Sequence, residues 1–226
     1  MVTMGDGWAI GVDGSRRWGT LGAAGLFLCA PSEGSEEPVV LMQHRAWWTN
    51  RGDTWAMPGG AIDYGETPEE GAKRETWEET GIDPNDVTVV DTVVTSRVEL
   101  DHVLRREAVR PQDQHLLDPV RAMIERDGDV RQALLDNPIY HPVHGGRAVF
   151  GLGAKFWWEV PDDTVKEWRY TTVIGRAPYP LELAPTEESK DLRWQPLSKL
   201  EELDLMPEFR ASLPELRAKI RDLDMF

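Results

Sequence analysis

The alternation of hydrophobic and polar segments in the first half of the chain predicts a series of buried strands. Apolar or β-branched runs bounded by turn-forming residues are typical of such strands. The runs are residues 22–30, 39–45 and 87–97. Between them, residues 31–38 contain Ser, Gly and Glu and predict a loop, and residues 47–53 predict a turn. Residues 1–18, rich in Gly and Trp, predict an irregular lead-in or a hairpin.

The second half of the chain begins with a long polar stretch. Residues 99–147 are charged and weakly periodic, and they predict one helix near residues 118–126. Strand patterns return at residues 148–150, 155–159, 168–174 and 192–196. Residues 197–205 predict one or two helical turns, and residues 207–222 predict a terminal helix with apolar residues at helical spacing. Those apolar residues are Phe209, Leu213, Leu216 and Ile220.

One helix in the first half has both of its ends marked in the sequence. Thr67 can cap its start, Pro68 suits the first helical position, and Glu70 completes a capping box with Thr67. Gly81 stands where a C-terminal cap belongs. The helix is therefore expected to end at about Thr80.

Three glutamates on this helix, Glu75, Glu78 and Glu79, predict a metal site. Residues three and four apart share one helix face, about 5–6 Å apart between Cβ atoms. Like charges at this spacing repel each other, so the arrangement is destabilising unless a cation lies among them. Hard divalent cations such as Mg²⁺ bind through carboxylates together with substrate phosphates. The small residues on the other face are expected to pack against the core: Ala72, Thr76 and Thr80.

The segment from Gly60 to Ile82 resembles the Nudix box, G-x5-E-x7-R-E-U-x-E-E-x-G-U, in which U is aliphatic. The matching residues are Gly60, Glu66, Arg74, Glu75, Glu78, Glu79, Gly81 and Ile82. A solvated acidic surface helix is the alternative, but it would not require the flanking residues that also fit. Thr76 departs from the pattern, since the family usually has Leu, Ile or Val there. Its hydroxyl is expected to bond back to the carbonyl of Ala72, so the departure concerns packing more than chemistry.

The resemblance to the Nudix hydrolase superfamily, and to its MutT-like members, implies an α/β protein. The implied Nudix fold is a mixed β-sheet sandwiched between helices (α/β/α), here with an insertion. The resemblance covers roughly residues 20–98 and 165–220. Residues 1–226 are then a single Nudix hydrolase domain, and approximately residues 99–163 are an insertion that the core fold does not require.

The resemblance also implies a metal centre and a set of catalytic residues. Glu75, Glu78 and Glu79, with a backbone carbonyl at Gly60, are the implied ligands of Mg²⁺ or Mn²⁺. Arg74 is implied to orient or neutralise these carboxylates and to pair with Glu66. A surface ion pair is the alternative for Arg74. Bound metal would neutralise phosphoryl oxygens and activate water for diphosphate hydrolysis.

The general base is left open between several glutamates. Members of the family use either a glutamate of the box, such as Glu75, or an acidic residue on a loop outside it. Glu187 and Glu188 precede the predicted strand at residues 192–196, where such loop carboxylates occur. An exposed acidic loop is the alternative for these two residues, and Glu182 is a weaker candidate for the base.

Substrate contacts are predicted from aromatic and cationic residues. Trp47, Trp48 and Tyr170 could stack on a nucleobase, although most of the 10 Trp residues must serve the core. Arg45 and Arg97 could contact phosphate, with a solvated surface as the alternative. His141 and His144 lie three residues apart in a Pro- and Gly-containing loop, a weak indication of a transition-metal site that lacks a third ligand.

Composition narrows the class of partners. The 226-residue chain has a net charge of −15, which argues against a nucleic-acid polymer or an anionic membrane as partner. Its single cysteine, Cys29, excludes an internal disulfide framework and fits a reducing cytosol. No apolar run approaches the ~20 residues of a membrane span. These features predict a soluble, cytoplasmic protein without a membrane partner.

The leading hypothesis is a metal-dependent hydrolase that cleaves a diphosphate linkage in a nucleotide or nucleoside diphosphate derivative. The alternative is a Nudix-like module that senses a nucleotide without turnover. Such a module would be free to lose carboxylates, and this chain retains all of them. A homodimer, with the insertion as its arm, is compatible with the sequence.

Overall fold

The computed structural model describes residues 5–32, 34–100, 103–127, 129–151, 155–161, 167–223 and 225. The chain divides into two compact units, called here the main unit and the second unit. The main unit comprises Met1–Val98 and Glu167–Phe226, and the second unit is Glu99–Lys166. The interpretation of the second unit as an insertion into a single domain stays a prediction.

A mixed sheet forms the centre of the main unit. Numbered along the whole chain, its strands and those of a small hairpin are β1 (Trp8–Ile10), β2 (Arg16–Trp18), β3 (Ala23–Ser32), β4 (Ser35–Arg45), β5 (Trp55–Ala56), β6 (Gly59–Ala61), β7 (Thr88–Glu99), β11 (Glu167–Arg176) and β12 (Ser189–Pro196). Five strands follow the order β12-β4-β3-β11-β7, while β5 pairs with β4 and β6 pairs with β3. The strands β3 and β11 are parallel, whereas β4 is antiparallel to β3 and β12.

Helices cover both faces of this sheet. They are α1 (Pro68–Thr80) and α4 (Pro207–Asp222). Successive side chains of a strand point to opposite faces, and β3 shows this directly. Leu26 and Leu28 join the core cluster that contains Ala72 of α1, whereas Phe27 joins the cluster that contains Phe209 of α4. The predicted mixed sheet between helices is confirmed.

The ends of α1 are fixed by the predicted capping residues. The hydroxyl of Thr67 accepts a hydrogen bond from the backbone N–H of Glu70, and the Glu70 carboxylate accepts one from the N–H of Thr67. Gly81 ends the helix in the left-handed conformation with φ of 77°. The hydroxyl of Thr76 donates to the carbonyl of Ala72 at 2.7 Å, as expected for this buried departure from the aliphatic pattern. Local sequence therefore determines this helix.

Several strand boundaries differ from the predictions. The predicted loop at residues 31–38 is largely strand, because β3 runs to Ser32 and β4 starts at Ser35, where these two residues pair. The polar residues there stay outside the core while their backbones continue the ladder. For the same reason β12 starts at Ser189, three positions before the predicted strand at 192–196. The alternative of a hairpin at the N-terminus is confirmed by the pairing of β1 with β2.

The second unit has its own sheet and its own core. Its elements are β8 (Val103–Ala108), α2 (Asp118–Asp127), α3 (Val130–Asp136), β9 (Arg147–Gly151) and β10 (Lys155–Pro161). The strands are antiparallel in the order β8-β10-β9. The sequence predicts α2, β9 and β10, but it misses β8 and α3, because their apolar residues are few and separated by charges. Buried Leu117, Val120, Leu134 and Trp158 belong to this core.

The two histidines of the second unit are packed side chains. The rings of His141 and His144 stack with centroids 3.8 Å apart, and both lie edge-on to the buried Trp158. The Nδ1 atom of each accepts a hydrogen bond from a nearby backbone N–H. Parallel stacked rings cannot aim their nitrogens at one ion, and no group of three metal-ligating side chains is formed anywhere in the described part of the chain. These contacts favour a packing role over a metal-binding role for the two histidines.

Among the described residues, no helix is both long enough and apolar enough to cross a membrane.

Candidate active site

The three glutamates of α1 face a cleft of the main unit. The cleft has a volume of about 640 Å³, and its lining includes Glu75, Glu78, Glu79 and also Glu188. The strand β6 brings Gly59 and Gly60 to the same cleft. The helix lies against β3 and β6, so its carboxylate face is held over the two glycines. The structure thus brings the sequence-predicted acidic residues together.

Arg74 donates hydrogen bonds to five oxygen atoms at the edge of this cleft. Its Nε and Nη2 atoms donate to the two oxygens of Glu66 at 2.8 and 3.0 Å. Its Nη1 atom donates to Glu75 at 2.8 Å and to Glu78 at 3.1 Å, and Nη2 also donates to the carbonyl of Ala61. The guanidinium holds the pKa of Glu66 below its usual value. The predicted pairing of Arg74 with Glu66 is therefore observed, and Arg74 partly neutralises two of the carboxylates.

Glu79 is the most buried carboxylate of the cleft, with 4% exposure. One of its oxygens accepts a hydrogen bond from the N–H of Gly59 at 2.9 Å, and the other lies 3.9 Å from the guanidinium of Arg45. Burial raises the pKa of Glu79 to about 7, while Arg45 and an amide hydrogen bond from Gln43 oppose the shift. The neighbouring groups thus offset only part of the cost of burying the negative charge of Glu79.

Glu75 lies against Gly60, so a larger residue at position 60 would displace the Glu75 carboxylate. A Cβ atom at position 60 would lie 2.6 Å from the Glu75 carboxylate, closer than real Cβ contacts. Burial raises the pKa of Glu75 to about 7, and the charges of Glu78 and Glu188 act in the same direction against that of Arg74. Buried Glu79 and half-buried Glu75 therefore share the cleft with the exposed carboxylates of Glu78 and Glu188.

The loop before β12 joins the site from the far end of the sequence. Glu188 lines the cleft, and both Glu187 and Glu188 line a smaller adjoining cavity with Glu75, Glu78 and Glu79. The carbonyl of Glu188 accepts a hydrogen bond from the N–H of Ala46 at 2.9 Å. Glu182, the weaker candidate for the base, is absent from the lining of both cavities.

A buried polar bridge behind the cleft was missed by sequence reasoning. Gln43 donates from Nε2 to the hydroxyl of Ser189 at 2.9 Å, and that hydroxyl donates to the carbonyl of Glu79 at 3.2 Å. Gln43 is fully buried. A Gln within the apolar run at residues 39–45 was the available signal, since buried polar groups need partners.

The predicted aromatic and cationic contacts separate into two groups. Arg45, Trp48 and Tyr170 line the cleft or the cavity of about 480 Å³ that adjoins it at Gly59 and Gly60. Trp47 is 74% exposed and is absent from both linings, and Arg97 is paired with Glu167 at 2.9 Å instead. Trp8 and Trp18 of the N-terminal hairpin line both cavities, which the sequence did not indicate.

Comparison with known proteins identifies the family. Residues 20–131 match the family model described as the NUDIX domain. A Mycobacterium tuberculosis protein, named as a candidate 8-oxo-dGTP diphosphatase 3, is 34% identical over 213 residues, which cover 94% of this chain and 69% of that protein. This chain belongs to the Nudix family. A Nudix hydrolase from M. smegmatis, RenU, has a crystal structure with a TM-score of 0.67 and 32% identity, covering 98% of this chain and 99% of that one.

The protein is accordingly a Nudix hydrolase and is related to MutT-like proteins. A Bifidobacterium longum protein named as a nucleoside triphosphate pyrophosphatase/Nudix hydrolase fusion is 50% identical over 88 residues, or 38% of this chain and 18% of that protein. Nudix hydrolases act on nucleoside diphosphate derivatives and generally use divalent metal ions. The family assignment favours the enzyme over the alternative of a binding module without turnover.

The residues of the Nudix box fit a divalent cation. All available donors are oxygens, which suits a hard cation such as Mg²⁺, and the repulsion among buried Glu75, Glu79 and their acidic neighbours is what a cation would relieve. In the structure the carboxylates are turned toward Arg74 and Arg45, and within the described ranges no three of them converge on one point. Metal binding therefore requires Glu75 and Glu78 to exchange contacts with Arg74 for contacts with the ion.

Proposed function

We propose that this Nudix hydrolase cleaves a diphosphate linkage in a nucleotide and that Glu75, Glu78, Glu79 and the carbonyl of Gly60 hold the required Mg²⁺ or Mn²⁺. The observation that carries this proposal is the buried carboxylate of Glu79 and the half-buried carboxylate of Glu75, which lies in close contact with Gly60 in the same cleft. When bound, such an ion neutralises phosphoryl oxygens and lowers the pKa of a coordinated water.

The surrounding side chains have separate tasks in this proposal. Arg74 keeps Glu75 and Glu78 oriented in the metal-free protein and retains Glu66 as its partner when they turn to the ion. Gly59 fixes the position of Glu79 through its N–H. Arg45 stands between Glu79 and the adjoining cavity, where its charge can bind a phosphate of the substrate.

We assign the general base to Glu188 in preference to Glu187 and Glu75. Glu188 lines both the cleft and the smaller cavity, and its charge acts on Glu75. Glu187 lines only the smaller cavity, and Glu75 is engaged by Arg74. An exposed loop carboxylate that reaches the cleft can take a proton from water and pass it to solvent.

Aromatic side chains around the carboxylates offer stacking surfaces to the nucleotide. Tyr170 lines the adjoining cavity together with Met57 and Phe209, whereas Trp48 lines the cleft itself. Stacking on such surfaces tolerates different bases and contributes about 1–3 kcal/mol per base.

The proposal is tested by a nucleotide panel with Mg²⁺, read as release of phosphate or pyrophosphate. Glu78→Gln keeps the shape of the side chain but removes a charged ligand and relieves repulsion with Glu75. We expect turnover to fall by at least about two orders of magnitude, in line with loss of a catalytic metal contact, while metal-free stability holds or rises slightly. Glu69→Gln, in the exposed first turn of α1, is the matched control. Wild-type turnover in Glu78→Gln would remove Glu78 from the metal site.

A further inference from the structure

The cleft of the main unit has an acidic end and a far end. The acidic end is lined by Glu75, Glu78, Glu79 and Glu188. The far end is the part of the adjoining cavity that these carboxylates do not reach, and it is lined by Arg16, Arg17, Met57, Tyr170 and Phe209, among others. The residues lining both ends form the junction: Trp8, Trp18, Arg45, Asn50, Gly59 and Gly60. A substrate whose diphosphate lies at the acidic end therefore extends past the tryptophans toward Arg16 and Arg17.

The N-terminal hairpin supplies the tryptophans and both of these arginines. Backbone hydrogen bonds from Gly19 to Gly7 and from Thr20 to Gly5 hold its two arms together, and the Trp168 indole of β11, which donates to the carbonyl of Gly19 at 2.9 Å, fastens it to the central sheet. The match to the NUDIX family model begins only at residue 20. The hairpin is thus a wall of the cleft that lies outside the matched region.

The aromatic surface of the hairpin is more exposed than a packing role requires. Trp8 and Trp18 are 41% and 36% exposed, and their rings meet edge to face with centroids 5.3 Å apart. The guanidinium of Arg16 lies 4.7 Å from the centre of the Trp8 ring. Aromatic side chains that are open to a cleft and flanked by a cation are suited to stacking on a nucleobase.

Neither Arg16 nor Arg17 forms an ion pair within the described part of the chain, although the chain has 40 acidic and 25 basic residues. Arg51, which also lines the far end, is paired with Glu208 at 2.6 Å. The acid nearest in sequence, the exposed Asp13, accepts a hydrogen bond from the N–H of Ser15 and is attracted by the charge of Arg17 without forming an ion pair with it. Two arginines that line the end of a cleft without ion-pair partners are suited to binding an anion.

We propose that the hairpin recognises the nucleoside end of the substrate, with the base on Trp8 and Trp18 and a second phosphate on Arg16 and Arg17. The ligand class is a nucleotide that carries, besides the diphosphate, a further phosphate on its nucleoside. The inference rests on the proposed function only for placing the diphosphate at the acidic end. The hairpin then selects among nucleotides, while α1 and the loop at Glu188 carry out hydrolysis.

The test compares adenosine, adenosine 5′-monophosphate, and the 2′,5′- and 3′,5′-bisphosphates of adenosine as probes, with the guanosine series alongside. None of these probes contains a phosphoanhydride, so binding to the full chain can be measured by calorimetry in Mg²⁺ without turnover. In at least one base series, we expect a bisphosphate to bind at least about tenfold more tightly than the monophosphate, the scale of a charge-assisted contact. Raising the salt concentration should reduce this ratio, because exposed charges are screened.

Variants separate the two parts of the hairpin. Arg16→Gln/Arg17→Gln should bring the bisphosphate to the affinity of the monophosphate while leaving the monophosphate within about twofold. Trp18→Leu should weaken all nucleotide probes alike and raise KM with little effect on kcat, as loss of uniform binding does. Ile10→Ala, in the same hairpin but outside the cleft lining, and Arg221→Gln, on α4, are the matched controls.

Equal affinity of wild type for mono- and bisphosphates in both series, or a ratio that survives Arg16→Gln/Arg17→Gln, would overturn the proposal. These outcomes differ from failure of the proposed function. That failure would appear as absence of Mg²⁺-dependent turnover across the anhydride-containing panel, which is measured separately on the same proteins.

Discussion

Glu75 and Glu79 are two carboxylates whose surroundings in the metal-free protein disfavour their charged form. The pKa of each is raised to about 7 by burial, whereas a glutamate in an unfolded chain titrates near 4.3. A group with a raised folded-state pKa contributes stability that is fully present below its unfolded pKa and is lost as pH rises through the folded one. The metal-free fold therefore loses stability between about pH 4.3 and pH 7 on account of this pair.

We predict that the free energy of unfolding of the metal-free protein falls as pH rises from 5 to 8, and that saturating Mg²⁺ removes most of this slope. Urea unfolding at a series of pH values, with chelator or with Mg²⁺, measures both. Glu79→Gln should flatten the slope in chelator, because it removes one titrating carboxylate without changing its shape. An unchanged slope in Glu79→Gln would place the titrating group elsewhere.

Gln43 and Ser189 are a second pair of coupled residues, joined by a buried hydrogen bond behind the cleft. The Ser189 hydroxyl both accepts from Gln43 and donates to the carbonyl of Glu79, and Oε1 of Gln43 has no protein partner. Removing one member of a buried hydrogen bond costs about 1–3 kcal/mol, whereas replacing both by apolar groups is far less costly.

We predict that Ser189→Ala lowers the free energy of unfolding by about 1–3 kcal/mol and that adding Gln43→Leu recovers part of the loss. A double-mutant cycle by urea unfolding measures the coupling. Ser198→Ala is the matched serine control, because its hydroxyl bonds the carboxylate of Glu37 in an exposed helical turn after β12. Additive effects of the two substitutions would show that the bridge makes no joint contribution.

At the scale of elements, the site is assembled from α1 and the loop before β12. The helix supplies candidate metal ligands at fixed spacing, whereas the loop supplies exposed carboxylates that are free to reorient. Substitutions on the helix and on the loop should therefore respond differently to added metal. Loss of a ligand should be partly rescued by a higher Mn²⁺ concentration, and loss of the base should not.

We predict that Glu188→Gln lowers kcat by about 10²–10⁴-fold, the usual contribution of a general base, with little change in metal affinity. The acid limb of the pH–rate profile should move or vanish, since it reports the essential base. Glu187→Gln is expected to have a smaller effect, and Glu182→Gln is the loop control outside the cleft lining. If both Glu187→Gln and Glu188→Gln kept full kcat and the same acid limb, the base would be Glu75.

For the whole molecule, the question is whether the main unit folds without the second unit. The residues that flank the second unit lie close together in the main unit, so the second unit can be replaced by a linker. Arg97 and Glu167, next to the two junctions, form an ion pair at 2.9 Å. A short linker can therefore join Val98 to Glu167. Deleting only residues 100–143 would remove β8, α2 and α3 but keep β9 and β10. That shorter deletion would expose Trp158, which is 1% exposed in the intact protein.

We predict that replacing Glu99–Lys166 with a short Gly/Ser linker leaves a protein that unfolds cooperatively and has an altered substrate preference. Replacing only residues 100–143 should instead give an aggregation-prone protein, because β9 and β10 lose the rest of their core. Urea unfolding, size-exclusion chromatography and the nucleotide panel compare the two variants. Loss of cooperative unfolding in the first variant would show that the second unit is integral to the fold. A homodimer and a cytoplasmic location stay predictions.

Features that depend on neighbours a few residues apart could be predicted from the amino-acid sequence. The capping box of Thr67 and Glu70, the left-handed end at Gly81 and the back-bond of Thr76 follow from contacts within about one helical turn. The spacing of Glu75, Glu78 and Glu79 on one face follows from the same geometry. The mixed sheet between helices was likewise accessible, because apolar periodicity marks which faces are buried.

The residues that complete the site from distant parts of the chain could not be predicted, because long-range packing brings them together. Gln43 and Ser189 are 146 positions apart and meet because β4 pairs with β12. That pairing also carries Glu188 to the carboxylates of α1, and the fastening of the hairpin at Gly19 carries Trp8 and Trp18 to the cleft. Strand register and loop docking are set by the packing of the whole core, so no local pattern in the chain records them.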